Sequence, residues 1–126
     1  MLLAPTPFLE SKVRGALVRL VITAVALMVA AYLLPERLVI SGGLESVLMF
    51  AVALGVLNAL VRPILLLFTL PLNLLTLGLF TFVINAFVFW LAAQFPLGVS
   101  VVDFGGAFLA ALVVSAVSFV LSKVVP

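Results

Sequence analysis

Asn58 and Arg62 stand four residues apart, and Asn73 and Asn85 follow in the same long apolar run. On a helix, residues at i and i+4 share one face. Asn58 and Arg62 therefore address one side of one helix. Amides and a guanidinium offer hydrogen-bond donors and a fixed charge, but no group that titrates near neutrality. Such a set suits a polar site or an entry path for an ion or a lipid head group. It also has a plain structural use. Amides bond backbone freed by Pro63 and Pro71 and link neighbouring helices, and arginine can extend to a membrane interface. Both uses are open from these residues alone.

Other chemistry is missing. The 126 residues include no Cys and no His. That removes disulfides, thiolate nucleophiles, imidazole bases and the usual zinc, haem and iron–sulfur ligands. The acids are Glu10, Glu36, Glu45 and Asp103, and none lies deep in an apolar segment. There is no Ser-x-x-Lys pair, glycine-rich phosphate loop or paired carboxylate. The expectation is a non-enzymatic protein with no cofactor and no metal. An intramembrane acid is the usual mark of proton-coupled transport, so its absence argues against that too.

The elements that position these residues follow from composition. The chain is 67% hydrophobic and 8% charged, against about 25% charged in a soluble domain. Its partner is the lipid bilayer. A net charge of +2 is too small to argue for nucleic acid. The expected fold is all-α integral membrane, one domain over 1–126. Four transmembrane helices are expected at Gly15–Leu34, Leu44–Val61, Leu79–Phe95 and Gly105–Ser122, each near the ~20 residues that cross ~30 Å of hydrocarbon. Pro5 and Pro7 predict no regular helix before about Glu10, with Ser11 capping a helix from Lys12. Leu2, Leu3 and Phe8 suit the membrane interface. The basic head and first apolar run also resemble a signal peptide, but the later spans and the lack of a small-x-small site argue against cleavage. Ser41 and Asp103 are expected helix caps, and Arg62-Pro63 is expected to close the second span.

Three matches in the same order suggest duplication. Leu17–Ala31 resembles Leu79–Ala93, the turn at 39–43 resembles that at 101–106, and Gly55–Arg62 resembles Ser115–Ser122. The two units are helical hairpins, about 15–62 and 79–123. Any two Leu/Val/Ala-rich hairpins look somewhat alike, but the shared Gly-Gly and polar positions favour duplication. With four crossings, Lys12, Arg14, Arg19, Arg62 and Lys123 share one side, and Arg37 alone of the basic residues takes the other, with Glu36, Glu45 and Asp103. The positive-inside rule places both termini in the cytoplasm. The hairpins are then parallel repeats about a pseudo-twofold axis along the membrane normal. Residues 63–78 are expected to be re-entrant or interfacial, turning at Pro71. A fifth short crossing is the alternative and costs agreement with the charge rule.

Helix-packing faces are expected at Ala51, Gly55 and Ala59, and at Ala107, Ala111, Ser115, Ser118 and Ser122, where small residues recur at helical spacing. The bulky Phe80, Phe82, Phe87, Phe89 and Trp90 are expected to face lipid or a partner subunit. The β-branched turns 38–41 and 99–102 are expected to pair as an antiparallel ribbon across the outer face.

The run Gly55-Val-Leu-Asn58-Ala-Leu-Val-Arg62-Pro63-Ile-Leu, with Leu70-Pro71-Leu-Asn-Leu-Leu-Thr76-Leu-Gly78, Val83-Ile84-Asn85-Ala86 and Val102-Asp103-Phe104-Gly105, resembles phage holin family 4 (holin superfamily IV). Ser41 stands where the first turn of that pattern carries an acid. The resemblance implies a bacterial inner-membrane protein of multi-pass topology, and the family name implies membrane lesions. Two roles compete. One is a structural or accessory protein packing with itself or a larger membrane complex. The other is an oligomeric pore former, or lipid or ion passage along the Asn/Arg groove.

Overall fold

The computed structural model describes residues 7–124. The expected interfacial seating of Leu2, Leu3 and the Phe8 side chain lies outside the described residues. The elements run α1 (Pro7–Leu33), β1 (Leu38–Ile40), α2 (Leu44–Leu60), α3 (Arg62–Phe68), α4 (Leu70–Leu75), α5 (Phe80–Ala92), β2 (Val99–Val101) and α6 (Phe104–Val124). α1 packs against α2 and α6, and α5 packs against the same two helices.

α1 starts earlier than the sequence suggests. The helix is already present at Pro7, and Ser11 lies inside it rather than at a cap. Asp103 caps α6 as expected: its Oδ1 accepts from the Gly106 N–H at 2.7 Å. Ser41 does not cap α2. Gly43 takes that position without a side-chain cap bond, and Glu45 Oε1 accepts from the Gly43 N–H at 3.2 Å. Asp103→Ala should therefore destabilise the protein by about 0.5–2 kcal/mol, while Ser41→Ala should leave the start of α2 unchanged; amide exchange in the first turns of both helices checks this.

Arg62-Pro63 does not end the second helix. Val61 stays right-handed helical, Leu65 N–H donates to Val61 O at 3.0 Å, and Leu44–Phe68 forms one apolar stretch of 25 residues. Pro63 sits in the first turn of α3, where it removes one ladder bond without reversing the chain. Nor does Pro71 reverse it, since Pro71 lies in the first turn of α4. The reversal comes at Leu77 (φ 58) and Gly78 (φ 89). Gly78 N–H donates to Asn73 O at 2.7 Å and Leu77 N–H to Leu74 O at 3.4 Å, the paired bonds of a Schellman termination. Leucine occupies the left-handed position that glycine usually fills.

The ribbon is present. β1 and β2 pair antiparallel with Leu38 opposite Val101, Val39 opposite Ser100 and Ile40 opposite Val99. The bonds Ser41 N–H to Gly98 O (2.7 Å) and Val102 N–H to Arg37 O (3.0 Å) flank it symmetrically. Leu38 and Val99 turn inward and are buried. The ribbon joins the α1–α2 and α5–α6 connections, so four helix ends meet beneath it.

The core lies under that ribbon. Buried residues are Ile22, Ala24, Ala26, Leu27 and Ala30 on α1, Val47, Phe50, Ala51 and Leu54 on α2, Ile84, Ala86, Val88, Phe89 and Ala92 on α5, and Ala107, Ala110, Ala111 and Val114 on α6. Most belong to the helix halves nearest the ribbon, with Leu54 and Ile84 just past the midpoints of α2 and α5. At the other end Leu17, Leu60, Phe119 and Val120 are exposed. The bundle is tight at the ribbon end and open at the opposite one.

Phe89 does not face outward with its aromatic neighbours. It is buried against Phe50, ring centroids 5.2 Å apart and edge-on. Phe82 and Phe87 are exposed, and Phe80 and Trp90 are half-buried.

Candidate functional site

At the open end a groove of about 620 Å³ separates α1 from α2. Asn58 and Arg62 line it from one side, with Ala51, Gly55 and Ala59; Arg19 and Thr23 line it from the other. Each polar pair is spaced four residues along its own helix, so each presents one face. Of the small-residue stripe on α2, Ala51 is buried in the core while Gly55 and Ala59 are exposed. A Cβ added at Gly55 would meet nothing within 4 Å. The lower part of that stripe keeps the groove open instead of closing two helices together. On α6, Ala107 and Ala111 are buried, Ser118 is half-buried, and Ser115 and Ser122 are exposed.

Arg62 is half-buried, and its Nε is fully buried with no hydrogen-bond partner among the described residues. No ion pair joins Arg62 or Arg19 to an acid among the described residues. Two guanidinium groups, Arg19 and Arg62, thus line one groove.

Asn73 is elsewhere. Its Nδ2 donates to Thr69 Oγ1 at 3.2 Å and its Oδ1 accepts from Thr81 Oγ1 at 3.1 Å. Thr69 Oγ1 in turn donates to Leu65 O at 2.6 Å, and Thr76 Oγ1 accepts from the Phe80 N–H at 3.2 Å. This network ties α3 and α4 to the start of α5. Asn85 is half-buried on α5 and lines none of the grooves described here. The four polar residues thus separate: Asn58 and Arg62 stay together, Asn73 joins threonines, and Asn85 stands apart. Arg19 and Thr23 were legible only as an i, i+4 polar pair on the first helix. Sequence spacing does not show which helix faces which.

α3 also lies along α5. Leu65 and Thr69 share a second groove, about 210 Å³, with Phe80, Val83, Ile84, Phe87 and Phe104.

The helices α1, α2–α3 and α6 are each long and apolar enough to cross a bilayer, and α5 is a shorter apolar helix. These features define a helical integral membrane protein. The chain belongs to the family described as mycobacterial 4 TMS phage holin, superfamily IV, which it matches over residues 14–120. It is 36% identical over 122 residues to the uncharacterized protein SCO3922 of Streptomyces coelicolor, covering 90% of this chain and 97% of that one. It is 35% identical over 109 residues to the uncharacterized membrane protein YvlD of Bacillus subtilis, covering 79% and 89% respectively. No solved structure matches it.

Proposed function

We infer that this is a structural or accessory protein of the bacterial cytoplasmic membrane, without catalytic activity, that acts by packing its helices against its own copies or a larger membrane complex. α1, α2, α5 and α6 cross the bilayer as two repeated hairpins, about residues 15–62 and 79–123. Both termini and the open end are cytoplasmic. The symmetric ribbon register supports the repeat, since a twofold axis through the Val39–Ser100 pair exchanges its two strands. The basic residues Arg14, Arg19, Arg62 and Lys123, all away from the ribbon, support the orientation. The packing of α3 along α5 supports a re-entrant or interfacial course for 63–78.

The observation that carries the packing role is the uncovered apolar surface of the open half, where Leu60, Phe119 and Val120 are 64%, 64% and 58% exposed. Purification in mild detergent followed by native mass spectrometry tests it. A defined oligomer or a stoichiometric membrane partner is expected, and a monomer alone overturns the reading. The family description favours a second reading, a holin-like pore. Membrane potential followed by dye during induced expression decides it: an intact potential at high expression removes the pore.

A further inference from the structure

We propose that the groove between α1 and α2 binds the phosphate of an anionic membrane lipid, held by Arg62 and Arg19. The proposal rests on the bilayer placement given above. Both arginines line the same cavity, and the Arg62 Nε–H is buried without an acceptor among the described residues. A buried charged donor left unpaired is costly, and no described residue supplies its acceptor. No acid among the described residues lies in the groove. Glu36, Glu45 and Asp103 sit at the ribbon end, and Glu10 precedes Arg19 by nine residues, about 13 Å along α1.

The shape of the groove selects a lipid over a soluble anion. Its flanks are Leu17 and Val56, both exposed, so the cavity opens sideways onto acyl chains. Arg62 lies 18 residues beyond Leu44, about 27 Å down the helix at 1.5 Å per residue. That depth matches the far edge of a ~30 Å hydrocarbon layer, where lipid phosphates lie. Guanidinium donors match phosphate oxygens in forked geometry. Asn58 and Thr23 supply further polar contacts for the ester oxygens, and the fatty chains run along the apolar flanks.

The full chain in neutral detergent is exposed to phosphatidylglycerol or phosphatidylcholine of the same acyl composition, and retained lipid is read by native mass spectrometry. A parallel arm adds inorganic phosphate. Wild type should retain phosphatidylglycerol in preference. Arg62→Gln should lower that preference about tenfold, the effect of losing charge-assisted bonds. Arg19→Gln should lower it less, and Arg37→Gln, at the ribbon end, should leave it intact. Arg19 is exposed, so its replacement leaves no buried gap and serves if Arg62→Gln fails to fold. Equal retention of both lipids by wild type overturns the proposal, as does an undiminished preference in Arg19→Gln and Arg62→Gln. Displacement of the lipid by inorganic phosphate at equal concentration overturns the lipid assignment. A lipid-free dimer assigns the groove to a second copy and overturns it as well. Orientation is read separately, by labelling Ser122→Cys from outside intact cells. Selectivity in micelles does not depend on orientation, so the two failures are distinguishable.

Discussion

Gly98→Ala should destabilise the protein by about 2–6 kcal/mol. Two terms add. Gly98 has φ +87, and a side chain held there costs about 1–3 kcal/mol. The new Cβ would also collide with Ser46 Oγ and lie 3.5 Å from Gly42 N. Overpacking at such a site costs about 1–3 kcal/mol more. The collision cannot be relieved cheaply, because Ser46 is itself buried and the Gly98 carbonyl accepts from both the N–H and Oγ of Ser41. Denaturant titration in mixed micelles measures it. The single Trp90 is a suitable reporter, lying 6.1 Å from Phe87 and 6.5 Å from Phe104 near the ribbon. Gly78→Ala separates the two terms, since Gly78 shares the positive φ (+89) but has open space around its Cβ. Gly55→Ala, in a helix with nothing nearby, should stabilise by about 0.5–1 kcal/mol. Equal losses at Gly98 and Gly78 would remove the packing term, and an unchanged Gly98→Ala would reject the argument.

Phe89→Ala should cost about 3 kcal/mol, the lower end of the range for Phe→Ala in soluble cores. The lower end applies because the unfolded helix in a bilayer keeps the ring in an apolar medium. What is lost is packing: the contact with Phe50 and the filling of the space under the ribbon. Phe82→Ala is the comparison. Phe82 is 43% exposed, so its loss should stay within about 0.5 kcal/mol. Phe50→Ala with Phe89→Ala should be less than additive, by about 0.5–1.5 kcal/mol, since the two rings share one contact. Similar losses at Phe82 and Phe89 would show that the core does not lie where the buried rings place it.

Much of the fold is a local matter and was readable from the residues. Long apolar runs bounded by Pro35 and Pro96 mark helices, because backbone in an apolar medium must satisfy its own hydrogen bonds. Two β-branched runs between helices mark strands, and Asp103 ahead of Gly-Gly marks a cap. Proline ends fewer elements here than its missing N–H suggests. Pro63 and Pro71 fall in first turns, where the ring is tolerated, and the chain reverses at Leu77-Gly78 instead.

Which face of each helix is buried was settled only by tertiary structure. Periodicity identifies a buried face when polar residues mark the other one. Here the helices are apolar all round, so Phe82 and Phe89 look alike in sequence while one is exposed and the other meets Phe50. The polar residues show the same division. Spacing along one helix pairs Asn58 with Arg62, but Arg19 and Thr23 line the same groove from α1, and Asn73 bonds Thr69 and Thr81 instead. Such contacts depend on where helices diverge, and that is set by the packing under the ribbon and not by any short stretch of chain.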